Sequence, residues 1–502
     1  MTTPPPADAP IRAGHELARG SAWMIGMRWA IRGVGLVSTI ILARLLAPDD
    51  FGVVAMAMIA IAILESFTHS GTDLALLRNT ESTREHYDTA WTLEIIQAVA
   101  LAIILFATAP MVGGHFEDPR VTEVVRILSL RALIGGFQNI GVVHFRRDLH
   151  FGREFRFGVA KKLATFVVTV AAAFWLRSYW ALVIGQVSGR IVEVAISFQM
   201  SDYRPRITLS RIREIWGFSQ WLVLARFARL VNRQFDRWVV GTIAGASTMG
   251  HYYVASDFAA SPSDEIVLPM SRAAFPVYSR LQDEPAALRQ AFRNVLASMT
   301  AISFVMGLGM AAVADDFVRV ALGEKWLAAI PLMPWLGVFG ALYGVAHTLD
   351  IFMVATGRER LTALMTTGNA LVTVPVLLVA GHSGGIIGIA AAKAALALVF
   401  VVALALAVTR RPPVTLGLLW SALWPTLTAS LTMVAAVKSL QALSPVASPV
   451  VGLLRDVTAG AIVYIAATTV LWTLRGRPDG IEREAIVRVR RFLARRGSAS
   501  PG

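Results

Sequence analysis

The 502-residue chain is 55% hydrophobic and only 16% charged, and it carries a formal charge of +14. Its mean hydropathy of +0.59 is far from the mix of a soluble domain and marks a polytopic membrane protein. Cysteine is absent, which removes disulfides, thiolate metal sites and cysteine nucleophiles from consideration.

The first residues, "MTTPPPADAP", are Pro-rich and polar. No short apolar core ending in a cleavage site follows them, so residues 1–20 are expected to form a cytosolic N-terminal segment. Apolar runs of spanning length then predict fourteen transmembrane helices, at 21–46, 52–72, 88–112, 121–143, 158–176, 179–199, 214–244, 249–274, 294–313, 327–356, 361–380, 384–408, 415–437 and 451–474. The breaks are short and charged or bear Gly and Pro, and they leave no room for a large soluble domain. The fold class is therefore all-α: two six-helix lobes at 21–199 and 214–408, joined by a cytosolic linker at 200–213. Two additional helices at 415–474 and a basic cytosolic tail at 475–502 follow.

The positive-inside rule tests this count. With a cytosolic N-terminus, 29 lysines and arginines fall on inside segments, among them Arg146, Arg147, Arg153, Arg156, Lys161 and Lys162 and the eight arginines from Arg475 onward. Only 6 fall outside: Arg120, Arg177, Arg319, Lys325, Lys438 and Arg455. One miscounted span in the middle would scramble this separation, so both termini are expected in the cytosol. The basic charge is then mostly topology, and its dispersal over many loops argues against nucleic acid as a partner. In the tail, Ile481, Ile486, Val489, Phe492 and Leu493 alternate with six arginines, the pattern of a helix resting on anionic membrane lipids.

An internal repeat organises the chain. "SAWMIGMRWA" at Ser21 aligns without gaps with "SQWLVLARFA" at Ser219, an offset of 198 residues that matches Ser21/Ser219, Trp23/Trp221, Arg28/Arg226 and Ala30/Ala228. The same offset pairs Gly52 with Gly250 and Ala57 with Ala255, as expected of duplicated six-helix halves in a secondary transporter.

Both copies carry arginines into the apolar span. Arg28, Arg32, Gly35 and Thr39 share one stripe of the first helix, and Arg226, Arg229, Arg233, Asp236 and Arg237 share a face of the seventh. An arginine at the centre of a membrane helix costs about 2.5 to 3.5 kcal/mol on the lenient scale, so such a face must look into water or meet acids. Arg226 lies roughly 18 Å from the cytosolic end of its span, too deep for snorkelling alone. The candidate acids Glu65, Glu94, Asp236, Asp257 and Asp350 are fewer than the arginines. A water-filled cavity lined by Arg28, Arg32, Arg226, Arg229 and Arg233 and suited to a phosphate or diphosphate is therefore expected. Structural ion pairs between helices are the competing account of the same residues. Glu65, Glu94, Asp236 and Asp350 are candidates either for ion pairing or for coupling to a proton or sodium gradient. Lys393 is an isolated cation among small residues, compatible with close packing or with a buried carboxylate partner.

Three further patterns carry less. "GHSGG" at Gly381 to Gly385 matches the nucleophile elbow of hydrolases, but that motif needs a strand before it, whereas here it joins two apolar helices as a tight turn. The nine histidines form no H-x-x-x-H pair, and no metal or other bound cofactor is expected. Pro331 and Pro334 are placed to kink or unwind the tenth span.

Four stretches resemble a known family: "ARLLAPDDFGVVAMA" after the first span, "STMGHYYVASDFA" after the seventh, "LPMSRAAFPVYSRLQDE" ending the eighth and "GGIIGIAAAKA" opening the twelfth. In order and spacing they are similar to bacterial polysaccharide exporters of the Wzx type. These are oligosaccharide-lipid flippases of the multidrug/oligosaccharidyl-lipid/polysaccharide superfamily, here closest to the colanic-acid and succinoglycan branch. The resemblance covers essentially the whole chain. It implies an inner-membrane protein, not an enzyme, that moves an undecaprenyl-diphosphate-linked repeat unit to the periplasmic leaflet for exopolysaccharide, O-antigen or capsule. It also implies a cationic lining that includes Arg28 and Arg32, a groove for the polyprenyl tail formed by the last two helices, and a polymerase and chain-length regulator as partners. A multidrug cation antiporter of the same superfamily would call for an acidic cavity instead. A membrane-embedded polymerase or glycosyltransferase would call for a long outer loop with catalytic groups.

Overall fold

The computed structural model describes residues 9–68, 83–143, 145 and 151–476. Hydrocarbon offers no water to backbone amides, so a spanning segment must satisfy its hydrogen bonds within itself. Among the described residues the chain accordingly forms helices and no strand: α1 (Ala9–Leu45), α2 (Pro48–Thr68), α3 (Arg84–His115), α4 (Pro119–Gly136), α5 (Phe151–Leu176), α6 (Trp180–Met200) and α7 (Ile212–Ala259). The series continues with α8 (Ser261–Arg280), α9 (Pro285–Ala312), the single turn α10 (Ala314–Phe317), α11 (Met333–Ala355), α12 (Glu359–Thr409), α13 (Leu416–Leu443) and α14 (Pro449–Leu474). Nine of the described helical segments are long and apolar enough to cross a membrane.

Two of these helices are double. At Gly245 (φ 73°, ψ 179°) α7 breaks into two arms, and α12 does the same at Gly385 (φ 57°, ψ −149°), both in backbone regions that a side chain makes prohibitive. The fourteen expected spans thus map onto α1 to α6, the arms of α7 with the second continuing toward α8, α9, α11, the arms of α12, α13 and α14. The "GHSGG" turn is this second break, with helix on both sides. Within it Ser383 Oγ donates to the Val379 carbonyl at 3.0 Å, and His382 Nδ1 lies 2.7 Å from the Leu378 carbonyl.

Polar caps and prolines set the other ends. Asp118 caps α4 by accepting the Arg120 amide at 2.9 Å with Pro119 in the first turn, and Thr415 caps α13. Thr83 and His86 exchange bonds at the start of α3 in the manner of a capping box. Pro331 lies in a 3₁₀ stretch over Glu324–Leu332 and Pro334 in the first turn of α11. Pro334 thus starts α11, where proline's fixed φ and missing donor are tolerated, while Pro331 falls where the backbone departs from the α-helix just before it. Residues 9–20 belong to α1, whereas the tail from 477 onward, with its expected surface helix, lies outside the described residues.

The chain divides into two compact units, Met1–Tyr253 and Val254–Gly502. In the first, α3 packs on α4, α5 on α6, α1 on α5, and α2 on α4. In the second, α11 lies against α8, α9 and α12, and α13 bridges α9 and α14. The second unit's core is aromatic: Phe292 and Phe352 have ring centroids 4.2 Å apart, and Tyr278 meets Phe352 edge-on at 5.2 Å.

The repeat is visible as a contact within the first unit. A Cβ on Gly52 of α2 would overlap the Ala246 carbonyl at the start of α7's second arm, and a Cβ on Gly250 would overlap the Pro48 carbonyl. Residues 48 and 52 of α2 are each 198 positions from 246 and 250, so repeat-related backbones cross reciprocally, each glycine against the other's carbonyl. Ala57 and Ala255, the other pair at this offset, are both buried. Without a hydrophobic drive between helices in lipid, such close backbone approach is what holds them together. The start of α2 is fixed further by Arg120, which bonds both Asp49 and Asp118, and by Asp50, which accepts the Tyr179 amide at 2.8 Å. Burial pushes the Asp118 carboxyl up, but the Arg120 hydrogen bonds outweigh it and hold the group below the usual carboxylate range.

In the second unit, the loop end of the α13–α14 hairpin is pinned by fully buried Asp456. It accepts from Gln441 at 2.6 Å and from Arg455 at 2.8 Å, while the Asp316 carboxylate of α10 stands over Gly452 of α14. Burial, with the nearby charges of Asp456 and Asp315, raises the Asp316 carboxyl above its ordinary value.

Two outcomes follow from this packing. Gly52→Ala and Gly250→Ala should each force the α2 crossing apart and destabilise the protein by about 1 to 3 kcal/mol or more, read as a lower thermal midpoint in detergent. Asp316→Asn should raise that midpoint at pH 7. A carboxyl with a raised folded value favours the protonated form, so the gain should shrink as pH falls through the raised value toward the ordinary aspartate range.

Candidate functional site

In α1, Arg28 and Arg32 sit deep in the helix and are half-buried. Sequence position alone put them on one stripe with Gly35, and α5 covers part of that stripe. Met27 and Ile31 of α1 lie over Gly158 of α5, a Cβ there standing 3.1 Å from Met27 Sδ and 3.3 Å from Ile31 Cδ1. One turn along both helices, Lys162 Nζ lies 3.6 Å from where a Cβ on Gly35 would be.

The sequence assigns Lys161 and Lys162 to the cytosolic end of the fifth span. Helix α5 begins at Phe151, so they lie ten and eleven residues into it, roughly 15 Å along the axis. Their side chains part, because neighbours on a helix diverge by 100°. Lys161 turns to α6 and meets Glu193 at 2.6 Å, where Arg190 also bonds at 2.6 Å. Glu193 is buried between them, so one carboxylate answers two cations. The membrane cost of Glu193, and its pairing, drew no notice in the sequence; its spacing of three from Arg190 was the available signal.

Along α7, Arg229 and Arg233 are exposed and Arg237 is half-buried. The side chain of Arg226 lies outside the described residues, so its facing of Arg28 does too. Arg237 lies over the Tyr253 ring with its guanidinium 5.2 Å from the centroid and donates to Gln234 at 3.2 Å. Asp236 is buried and accepts the Tyr252 hydroxyl at 2.7 Å. Arg229 and Arg233 are thus the exposed arginines of this helix, one turn apart on the same face as Arg226 and Arg237.

Of the acids, Glu65 pairs with Arg131 at 3.1 Å, an ion pair between α2 and α4. Glu94, on α3, is half-buried near Gly136 of α4, where a Cβ would stand 3.1 Å from the Glu94 carbonyl. Asp350 belongs to a separate polar stripe in the second unit. Phe339, Tyr343, His347 and Asp350 recur on one face of α11, with Tyr343 stacked on His347 at 6.0 Å. Lys393 of α12 is buried with its Nζ 4.4 Å from the Phe339 centroid, so close packing against an aromatic face accommodates this cation. Among the described residues no group of three His, Asp or Glu is arranged to hold a metal.

The profile of a family described as polysaccharide biosynthesis protein matches residues 41–331, more than half the chain. The chain belongs to that family. The chain is also similar to the lipopolysaccharide biosynthesis protein WzxC of Escherichia coli, 24% identical over 378 residues covering 74% of this chain and 76% of WzxC. The teichuronic acid biosynthesis protein TuaB of Bacillus subtilis is 25% identical, covering 64% of this chain and 67% of TuaB. The succinoglycan biosynthesis transport protein ExoT of Rhizobium meliloti is 22% identical over 68% of this chain and 70% of ExoT. In fold, the chain is similar to the lipid II flippase MurJ in an inward closed conformation, with a TM-score of 0.75 at 14% identity, over 90% of this chain and 99% of MurJ. A multidrug resistance transporter of the MATE family aligns less closely, with a TM-score of 0.56 at 14% identity over 77% of this chain and 98% of that one. The exporter-type family and the all-helical transporter fold expected from the sequence are thus both present.

Glu193→Gln should leave Lys161 and Arg190 together in a low-dielectric span without the carboxylate between them. A loss of about 1 to 3 kcal/mol is expected, checked as a lowered thermal midpoint that Lys161→Gln partly restores in the double variant.

Proposed function

We propose that this protein carries an undecaprenyl-diphosphate-linked oligosaccharide repeat unit from the cytosolic to the periplasmic leaflet of a bacterial inner membrane, for assembly of a surface polysaccharide. The observation that carries the reading is the arginine pair of α1 together with the open arginines of α7, inside a MurJ-like fold and a polysaccharide biosynthesis family. Relatives named for lipopolysaccharide, teichuronic acid and succinoglycan biosynthesis point the same way.

The chemistry is binding and release, not bond making. A lipid diphosphate brings two negative groups into the membrane interior, and its transfer is opposed chiefly by the cost of taking that charge out of water. Guanidiniums held in place accept both phosphoryl groups by forked hydrogen bonds and so replace the lost hydration. An aqueous volume beside α1 and α7 lets the oligosaccharide stay solvated while the polyprenyl tail remains in lipid. Alternating exposure of that volume to the two leaflets then moves the headgroup across.

We assign Arg28, Arg32, Arg226, Arg229 and Arg233 to the headgroup. Glu65 is a helix fastener by its bond to Arg131, and Asp236 a positioning group by its bond to Tyr252. A proton or sodium gradient drives the cycle in this reading, and Asp350 beside His347 on α11 is the group offered for coupling. Both termini lie in the cytosol, and a polymerase and a chain-length regulator take the product. The related MATE fold raises cation export as the other reading, and the surplus of arginine on α1 and α7 opposes it, since a positive cavity repels a cationic drug.

Deletion of the gene should leave the lipid-linked repeat unit on the cytosolic leaflet and remove surface polysaccharide. Complementation with Arg28→Ala, Arg32→Ala or Arg229→Ala protein should restore at most about one tenth of the polysaccharide, at normal membrane levels of the variant. Full restoration by all three variants, or normal polysaccharide with altered tolerance to cationic drugs in the deletion strain, would overturn the assignment.

A further inference from the structure

The chain between the end of α6 and the start of α7 crosses the first turns of α3 as a strap, bonded to it at successive points. Asp88 of α3 is buried and accepts the Tyr203 hydroxyl at 2.7 Å and the Arg206 amide at 2.9 Å. One turn on, Thr92 Oγ1 accepts the Thr208 amide at 3.0 Å, while Glu85 accepts from the Arg211 guanidinium at 3.0 Å. Asn139 donates to the Tyr203 carbonyl at 2.7 Å, and Gly141 leaves room for the strap, since a Cβ there would overlap Ser201 Oγ. Amides two residues apart point from the same edge of an extended chain, so one edge of the strap is spent on α3.

The rest of the strap faces outward. Ile207 is 80% exposed and Leu209 43%, and Arg204 and Arg206 are exposed beside them. An exposed isoleucine is ordinary on a soluble surface, so its depth decides what it meets. Helix α3 is 32 residues long, about 48 Å at the helical rise, against a hydrocarbon thickness of about 30 Å, so its first turns reach the headgroup layer. Tyr87 and Trp91 of α3 gather there with Tyr203 of the strap, Tyr87 and Tyr203 having centroids 5.9 Å apart. Such amphipathic rings mark the membrane–water boundary.

The charge at this level is positive. Arg84, Arg204, Arg206 and Arg211 stand against Glu85, Asp88 and Asp202. Glu85 is engaged by Arg211, and Asp88 by the strap, with Arg84 3.8 Å away. Arg204 donates to the carbonyls of Ser201 at 2.7 Å and Tyr203 at 3.0 Å, neutral acceptors that orient the guanidinium without cancelling its charge. Its five donors leave capacity for an anion. Fixed cations next to outward apolar side chains, at headgroup depth, fit a molecule with an anionic head above acyl chains.

We propose that the strap at 202–209 is a docking site for an anionic phospholipid of the cytosolic leaflet, Arg204 and Arg206 taking its phosphate while Ile207 and Leu209 enter the acyl boundary. The site uses none of the arginines assigned to the cargo headgroup, and it takes from the carrier reading only the orientation of the bundle.

The test titrates the full-length protein in detergent with dioleoyl phosphatidylglycerol and, separately, with dioleoyl phosphatidylcholine and undecaprenyl diphosphate, counting bound lipid by native mass spectrometry. Arg204→Gln/Arg206→Gln should weaken phosphatidylglycerol binding about twentyfold, from about fivefold per arginine beside an anionic lipid, and leave the other two lipids within about twofold. Arg206→Gln alone, whose amide keeps its bond to Asp88, should lose about fivefold, and Ile207→Ser, which touches no charge, about threefold. Unchanged phosphatidylglycerol binding in the double variant would overturn the proposal. An equal loss in Arg410→Gln/Arg411→Gln, exposed arginines between α12 and α13, would overturn it too, because it marks diffuse charge and not a site. So would an equal loss of undecaprenyl diphosphate in the strap variant, which would give the strap to the cargo. The carrier reading stands or falls by the Arg28, Arg32 and Arg229 variants, and its failure leaves the phosphatidylglycerol result intact.

Discussion

Everything in this protein is governed by the absence of water in the bilayer interior. That constraint makes every span a helix, and it turns each intramembrane charge into a feature that needs an explanation in terms of what surrounds it. The same constraint removes the ordinary hydrophobic drive between helices and shifts the burden to backbone proximity. The α2 crossing is the clearest case: four positions related in pairs by the repeat offset meet as glycine against carbonyl, with no side chain in the way. A comparable reciprocal approach joins Gly307 of α9 and Gly337 of α11 in the second unit. Small residues are thus the adhesive, and the long apolar side chains are left for lipid, as the exposed Val, Leu and Ile along α14 illustrate.

Charges in this setting sort into two kinds. Some are fasteners: Glu65 with Arg131, Glu193 with Lys161 and Arg190, Asp236 with the Tyr252 hydroxyl. Each has a partner at hydrogen-bond distance, and each ties elements together. Others, such as Arg229 and Arg233, are exposed on the face of α7. Structural pairing is thus seen for Arg131 and Arg190, while the headgroup role stays the proposal for the arginines of α1 and α7. A carrier has use for such fasteners, since helices that carry charge into a membrane keep their arrangement only if they are tied to one another.

Much of this architecture was legible beforehand because a membrane span announces itself by length and apolarity, and because lysine and arginine counts check the alternation independently. The offset of 198 was legible from Ser21 to Arg28 against Ser219 to Arg226, and it led to Gly52 and Gly250 before any geometry was known. What escaped was set by neighbours in space. Lys161 and Lys162 read as cytosolic-side charges because the expected span puts them within one turn of its start, whereas α5 begins seven residues earlier, and a helix start inside a basic stretch carries no apolar signal. Pro331 and Pro334 read as a kink or an unwinding of the tenth span, and the 3₁₀ lead-in found there has no sequence pattern of its own. The direction in which each lysine turns depends on Gly35 and Glu193, residues 127 and 32 positions away from their respective partners, and no local pattern encodes that pairing.

The division of charges also bears on how one fold serves different cargo. The MurJ and MATE likenesses show that this arrangement of helices is shared by proteins whose names point to a lipid-linked precursor and to drugs. Shared fold therefore leaves the cargo undetermined, and cargo must be written in the charge along a few faces. On the described faces the charges divide between those engaged by neighbours, such as Glu65, Glu193 and Asp236, and the exposed arginines of α7. The engaged ones hold the shared fold and so carry little information about cargo. A question about cargo is therefore put to the arginines and not to the arrangement of helices.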